Sequence, residues 1–514
     1  MKKILALLLT LALCLSLVAC GNSKDGAAGK DGEASKATEG AKNTEEIQNI
    51  VFAMPVTKVV DGIKQVEDEI NKITESKINV HVTLEPISFA DYGTQVGLMM
   101  SGGDQIDLIT MVGNFSQLLA KNQLMPMDPY LDTLGAGAKE VLGEKFLKAT
   151  TVNNSVYAFP TLNGKAAALS IAIEKDLLDA NNISLENLKL ATTFDEYVAN
   201  LEELTKIFEK LKAAAPDKVC LVPITAGSLQ FTLTMPGFDN LGDNYGVLSQ
   251  DGTKVTNYFE SAEYKTLLGY VHDWYKKGYI LQDAATTTEA ANTYLSSGRT
   301  VGYFITGEEG QAEQIQTATG VEVEVVKILQ PTLTTSVING LGFGISSTSK
   351  YPEATMKFLN EMYTNPDIVN LLDWGVEGIH YVKNSDGTVG FPEGVDANNT
   401  TYGLNQDWLF GNQFLSFIWG EGRDTTIYSR LQENNDTANY SPVLGFSYDS
   451  TAVKNELSAI VNVYNQYGPG LDTGTLDPET ELPKYIEALK SAGIDAVIAE
   501  KQKQLDAWKE ANNK

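Results

Sequence analysis

Residues 50–111 read IVFAMPVTKVVDGIKQVEDEINKITESKINVHVTLEPISFADYGTQVGLMMSGGDQIDLITM, and the changes of apolar period within this stretch decide the fold. Ile50-Val51-Phe52-Ala53-Met54 is a short continuous apolar run that predicts a strand ended by Pro55. From Asp61 to Ser76, Ile63, Val66, Ile70 and Ile73 recur at three- and four-residue spacing, the period of a helix that buries one face. A second strand is expected at Ile78–Leu84, a second helix around Tyr92–Ser101, and a third strand at Asp107-Leu108-Ile109-Thr110-Met111, whose unbroken apolar character suits a strand covered on both faces. Strand, helix, strand, helix, strand predicts a doubly wound α/β sheet, with ligands at the carboxyl ends of its strands.

Downstream, strands are expected at Val156–Pro160, Ala168–Ile173, Val301–Ile305, Val323–Leu329 and Leu341–Ile345. Helices are expected at Phe194–Leu211, Tyr258–Lys277, Pro352–Tyr363 and Pro366–Leu372. The segments VLSQDGTKVTN (247–257) and YVKNSDGTVGF (381–391) carry Asp-Gly between extended residues, a strong hairpin signal. The chain beyond Ser450 reads as mostly helical, with Ile494, Val497, Ile498, Leu505 and Trp508 on one stripe. No internal repeat is present.

Upstream of the first strand, Met1-Lys2-Lys3 precedes an apolar run from Ile4 to Leu13, then Leu17-Val18-Ala19-Cys20 and Gly21. This predicts a secretory signal over residues 1–19. The apolar run is shorter than the roughly 20 residues that span a bilayer. Residues 21–46 have no large apolar side chain, and the segment 20–46 reads as a flexible tether, which at roughly 5–6 Å × √n reaches about 25–30 Å. The segment around Cys20 resembles the lipobox of bacterial lipoproteins. That resemblance implies acylation of Cys20, each buried methylene contributing about 0.8 kcal/mol of membrane attachment, and a location on the extracytoplasmic face of the cell membrane. A non-lipidated signal peptide or a short membrane anchor is the alternative.

Without residues 1–19 the chain carries 37 basic and 66 acidic side chains, a formal net charge of −29. Such a surface repels nucleic acid and anionic lipid, so contact with the membrane is expected through the anchor only. Of the three cysteines, Cys14 would leave with the signal and Cys20 would be acylated. Cys220 then stands alone, and stability must rest on the hydrophobic core without disulfides. A body of about 470 residues buries roughly three quarters of its surface and usually divides into lobes.

Four segments in order make a pattern. DLITM is followed by Val112-Gly113-Asn114-Phe115 and by KNQLMPMDPYL (121–131). Val156-Tyr157-Ala158-Phe159-Pro160 is followed by a strand and Glu174-Lys175-Asp176-Leu177-Leu178. Then come Ser297-Gly298-Arg299-Thr300-Val301-Gly302-Tyr303-Phe304 and LGFGISSTSKYPEATMKFLNEMY (341–363). Their order and spacing, together with the lipobox, resemble the extracellular solute-binding proteins of sugar-type ABC importers. Gly378-Ile379-His380-Tyr381, Gly468–Leu471 and AGIDAVIAEKQKQLDAW (492–508) resemble an uncharacterised C-terminal region of a Gram-positive lipoprotein subgroup. The resemblance implies a two-lobed periplasmic-binding-protein-like fold of type II, each lobe a doubly wound sheet flanked by helices, with a helical C-terminal part. It places 47–160 plus 306–346 in the N-terminal lobe and 161–305 plus 347–514 in the C-terminal lobe, the C-terminal region starting near 378. It further implies a hinge at Tyr157, Pro160 and Thr306, a monomer, and partnership with a permease and an ATPase.

A sugar site needs aromatic faces for stacking beside polar side chains on loops. Trp374, Trp408 and Trp419 are the candidate platforms, with Asn114, Phe115, Asn163, Glu377, Asp407 and Arg423 beside them in sequence or by position. Each tryptophan has a plain alternative as a core residue, and each charged residue as a solvated one. Rival functions leave weaker marks. There is no GxSxG elbow, HExxH or P-loop, so no catalytic residue, cofactor or metal is expected. His81, His272 and His380 are too scattered for a triad or a zinc site. Capture of a peptide, or action as a secreted glycan-active enzyme, are the alternatives to sugar capture.

Overall fold

The computed structural model describes residues 46–58, 60–224, 227–307 and 309–512. The expected signal segment 1–19, Cys20 and the tether up to residue 45 lie outside the described residues.

Strand β1 spans Gln48–Val56, helix α1 Ile63–Ile78, strand β2 Val80–Ser88, helix α2 Tyr92–Gly102 and strand β3 Leu108–Val112. β1 runs parallel to β2, from Gln48 opposite Val80 to Val56 opposite Ser88, and parallel to β3, with Phe52 opposite Leu108. This is the parallel half of the sheet that the periodicity predicts. Pro55 does not end β1, because it sits opposite Ile87 with the strand continuing to Val56. Proline lacks only the N–H, and extended backbone accommodates its fixed φ near a strand end.

Two later strands complete this sheet, in the order β2, β1, β3, Leu341–Ile345, Phe159–Pro160. Leu341–Ile345 opposes β3, with Leu341 facing Val112. A Cβ on Gly342 would lie 2.5 Å from the Phe159 carbonyl, so the close strand approach requires glycine there. The expected single strand Val156–Pro160 is two short pieces, Ser155–Val156 and Phe159–Pro160. On one face of the sheet Phe52 meets Phe343 edge-on at 5.8 Å and Phe358 at 6.4 Å.

The second sheet departs from a doubly wound pattern. Ala168–Glu174 lies between Gly302–Gly307 and Val323–Leu329 and is antiparallel to both. The outer strands are joined through helix Gln311–Thr319 and run in one direction, while the middle strand opposes them. Around this sheet pack helix Phe194–Ala214, opened by a capping box of Thr193 and Glu196, and helix Ala262–Lys276. The helix expected from Tyr258 starts only after Ser261, whose Oγ accepts the Tyr264 N–H at 3.1 Å and caps it.

Packing redraws the expected lobes. Residues 306–329 pair with the second sheet, because their strands bond to Ala168–Glu174. Helices Pro352–Thr364 and Pro366–Asp373 pack on the first, with Phe358, Leu359 and Met362 sharing a core with Phe52 and Ile70. The region beyond 378 divides as well. Tyr402, Leu404, Leu409 and Phe410 join the first core, whereas Ile460, Leu471, Tyr485, Ile494 and Val497 join the second. The chain therefore passes between the two bodies near 161–167, 330–340 and 438–450. The last two passages are tied by parallel pairing of Thr332–Leu333 with Asn439–Tyr440.

Candidate functional site

A cavity of about 670 Å³ opens at the carboxyl end of β3. Its walls come from both bodies: Asn114, Phe115 and Ser116 after β3, Asp239, Leu241, Gly242 and Asp243 from the second body, Thr335, Ser336 and Asn339 from a passage, and Phe446–Thr451 before the C-terminal helices. Gly113, with φ +63°, turns the chain off the strand. Asn114 stabilises that turn by accepting the Val112 N–H at 2.9 Å. Phe115 is only 3 % exposed and belongs to a small core with Ile87, Tyr92 and Ile109. Asn339 donates to the Ala149 carbonyl at 3.0 Å.

Acceptors dominate the cavity's electrostatics. Buried Asp239 accepts from Ser441 Oγ at 2.5 Å and from the Leu241 N–H at 2.8 Å, and burial raises its pKa against those hydrogen bonds. Asp243 pairs with Lys501 at 2.7 Å. Asp449 accepts from the Thr451 N–H at 2.9 Å and its hydroxyl at 2.6 Å. Lys121 is the one basic residue in the lining, and no arginine contributes. Serine and threonine hydroxyls fill much of the remainder and can donate or accept. The arrangement suits an uncharged, hydroxyl-rich molecule.

A second cavity, of about 510 Å³, lies beside the passages and includes Lys165, Gln230, Thr306, Gln330 and Ser336. Thr306, an expected hinge residue, lies in the strand Gly302–Gly307, outside the three passages. Pro160 immediately precedes the first passage, and its carbonyl accepts the Tyr363 hydroxyl at 2.7 Å. Tyr157 lies between the two short strands just upstream. The fastening of the first passage comes from Asn435, which the sequence did not single out. Its Oδ1 accepts the N–H groups of Lys165 and Ala166, and its Nδ2 donates to the Asn163 carbonyl.

The other expected site residues fall into separate groups. Asn163, Asp407 and Trp408 come together: Asn163 Nδ2 donates to the Trp408 carbonyl at 2.7 Å. Asp407 Oδ2 accepts from Gln413 Nε2 at 2.9 Å and the Tyr428 hydroxyl at 2.6 Å. Burial and then the Asp407 charge push the Tyr428 pKa far up. Trp408 is half-buried, its ring 6.0 Å from Phe89 at the end of β2. Trp374 is a core residue and offers no open platform. It is 3 % exposed, its Nε1 donates to Ser416 Oγ and the Phe417 carbonyl, and it stacks on Trp419 at 4.7 Å. Trp419 in turn meets Phe391 edge-on. Glu377 pairs with Lys383 on the surface, and Arg423 sits on the turn closed by its N–H to Gly420. Neither lines the cavities, and no tryptophan does. Just beyond β1, Thr57 is covered by Gln406, whose Oε1 accepts both its N–H and its hydroxyl.

Each histidine has a partner: Glu75 for His81, the Gly474 carbonyl for His272, and the Val376 N–H and Thr401 for His380. Among the described residues, no group of three or more His, Cys, Asp or Glu is placed to hold a metal ion. No described helix is long and apolar enough to cross a membrane.

The chain is similar to several known proteins. Residues 442–510 match a domain of unknown function. A carbohydrate ABC transporter substrate-binding protein of Streptococcus pneumoniae is 28 % identical over 87 % of this chain and 88 % of its own. The polygalacturonan/rhamnogalacturonan-binding protein YtcQ of Bacillus subtilis is 24 % identical over 66 % of this chain and 68 % of its own. The crystal structure of the N-glycan transport solute binding protein NgtS of Streptococcus pneumoniae superimposes with a TM-score of 0.76 at 24 % identity, covering 90 % of this chain and 99 % of that one. In complex with Man5GlcNAc the same protein gives 0.63 at 25 % identity, covering 91 % and 99 %. Residues 69–381, more than half of the sequence, match the model of the bacterial extracellular solute-binding proteins, and the chain belongs to that family.

Proposed function

We propose that this chain is the substrate-binding component of an ABC importer and captures a neutral oligosaccharide in the cavity at the end of β3. The carrying observation is the lining: aspartates, hydroxyls and amides beside the half-buried Tyr448, with a single lysine. Sugar hydroxyls need such acceptors and donors, and ring faces need the apolar side chains. A polyuronic acid, the named ligand of the Bacillus relative, would meet three carboxylates here. The volume falls within the ~300–1,000 Å³ of small-molecule pockets. The pneumococcal relative's name and the NgtS–Man5GlcNAc complex support the sugar class.

The lobes are then 47–160 with 341–437, and 168–329 with 450–511. Because the cavity has a wall on each, closure about the three passages would bring both onto the ligand, and the ligand would favour the closed state. In this reading the protein is a non-catalytic monomer that hands its sugar to a permease and ATPase, and acylated Cys20 holds it at the outer membrane face.

Thermal-shift and calorimetric titration against Man5GlcNAc, neutral fructans, polygalacturonate and short peptides tests the ligand class. A neutral oligosaccharide should raise Tm and bind saturably. Response to peptides alone would sink the sugar reading, and response to polygalacturonate alone would sink the neutral one. Cys20→Ala should release the protein from the membrane fraction, and an unchanged distribution would disprove the anchor. Mass spectrometry after prolonged incubation with the bound glycan should show it intact.

A further inference from the structure

The C-terminal helix Ile494–Ala511 turns Ile494, Val497, Lys501 and Leu505 inward, all at 0 % exposure. A lysine on such a stripe must find compensation, since an unpaired buried ammonium costs far more than packing returns. The Lys501 Nζ lies 2.7 Å from Asp243 Oδ1, 2.9 Å from the Gly246 carbonyl, and 3.3 and 3.4 Å from the carbonyls of Asp243 and Asn240. The Tyr448 ring centroid is 4.9 Å away. The loop 239–246 bends around this point through Leu241, Gly242 and Gly246, with φ of +52°, +102° and +114°. A Cβ on Gly246 would stand 3.3 Å from Lys501 Cδ, so the approach of the stem also depends on glycine. The same loop presents Asp239, Leu241 and Asp243 to the larger cavity, and Tyr448 lines it too.

We propose that Lys501 is a positioning residue of the binding site, an internal cation around which the loop 239–246 is folded. Three carbonyls and a carboxylate converge as they would on a bound cation, and the ammonium supplies the charge from within the chain. The C-terminal region, whose residues 442–510 match a domain of unknown function, thus belongs to the binding site in two ways. It supplies Phe446–Thr451 to the wall, and it holds the opposite loop through Lys501. The consequence for ligand affinity rests on the proposed sugar site, whereas the consequence for the loop does not.

Lys501→Met keeps most of the apolar stem and removes the charge. Lys501→Ala leaves space for an added alkylammonium. Amide hydrogen exchange in 239–248, measured without ligand, should accelerate about tenfold or more in both variants while helix Phe194–Ala214 keeps its protection. Propylammonium, but not propanol, should restore the loop in Lys501→Ala. The Kd for Man5GlcNAc should rise about tenfold, or 1.4 kcal/mol, in Lys501→Met and recover with the loop. Asp243→Asn serves where a lysine variant fails to fold, and should loosen the same segment. Unchanged exchange in 239–248, or acceleration spread evenly over the second body, would overturn the proposal. Loop loosening in a protein that never bound Man5GlcNAc would instead count against that sugar and leave the role of Lys501 standing.

Discussion

The hydroxyls of Ser116 and Ser447 lie 2.7 Å apart, joining the helix after β3 to the segment that leads into the C-terminal helices. Both residues line the larger cavity, so this bond ties its two walls together. A neutral hydrogen bond contributes only about 0.5–1.5 kcal/mol, weak enough for a hinge to break in thermal motion. Replacing both serines by cysteine would convert the tie into a covalent one, and the native Cys220 is buried and cannot compete. The oxidised Ser116→Cys/Ser447→Cys protein should bind its sugar more weakly, and dithiothreitol should restore affinity. Equal affinity in both redox states would mean that the walls need not move.

The two Asp-Trp dipeptides should separate under mutation. Trp374→Ala empties a packed site and should cost about 3–5 kcal/mol of stability, leaving the affinity of the folded fraction unchanged. Trp408 is half-buried near the end of β2. Trp408→Ala should cost less stability, since the ring is only half-buried, and should leave Kd unchanged, since the ring lies outside the cavity lining. Urea unfolding and calorimetry of both variants read the contrast. A raised Kd in Trp408→Ala would mean that the sugar reaches beyond the cavity to that ring.

The same dipeptides show what sequence can and cannot carry. Asp373-Trp374 and Asp407-Trp408 look alike locally, but Trp374 closes helix Pro366–Asp373 and is delivered beneath Trp419. Exposure was decided by where a helix ended, a long-range fact. Strands Val323–Leu329 and Leu341–Ile345 have the bounds their apolar runs predict, yet nothing in those runs says that one joins the second sheet and the other the first. Lobe membership was therefore misread around 306–373. The loops 239–246 and 446–451 are polar and aperiodic, so nothing marked them as cavity walls. Lys501 did carry a signal, a charge at a core position of the stripe Ile494, Val497 and Leu505, and periodicity alone treats such a residue as a gap.

Asp472 should make stability depend on pH. It is fully buried and accepts hydroxyls from Thr232 and Tyr264 at 3.0 Å each and from Tyr464 at 3.1 Å. Burial raises its pKa to about 6, with the three hydroxyls opposing a further rise. In the unfolded chain the value is about 3.9. The folded state therefore holds this proton more tightly, so the contribution is fullest below about pH 4 and declines as pH rises toward 6, by roughly 3 kcal/mol in all. Asp472→Asn cannot titrate. The stability of the wild type relative to the variant should fall by that order between pH 4 and 6.5, and a flat difference would contradict the assignment. Asp251, Asp386 and Asp424, held near 2 mainly by hydrogen bonds, are common to both proteins and cancel.

Asn435 offers the sharpest test of the hinge. At 3 % exposure, its Oδ1 accepts the Lys165 and Ala166 N–H groups at 2.8 and 3.0 Å, and its Nδ2 donates to the Asn163 carbonyl at 2.7 Å. Asn435→Ala strands three backbone groups, each costing about 1–3 kcal/mol when left buried without a partner, and should speed hydrogen exchange across 161–168. Asn435→Asp retains the acceptor but sets a carboxylate against the Asn163 carbonyl. Repulsion and burial should raise its pKa, and once protonated it can donate to that carbonyl again. Relative to wild type, Asn435→Asp should therefore be more stable at pH 4.5 than at pH 8, whereas Asn435→Ala should show no such recovery. Parallel pH profiles for the two variants would mean that the donor to Asn163 does not matter and that the passage is held elsewhere.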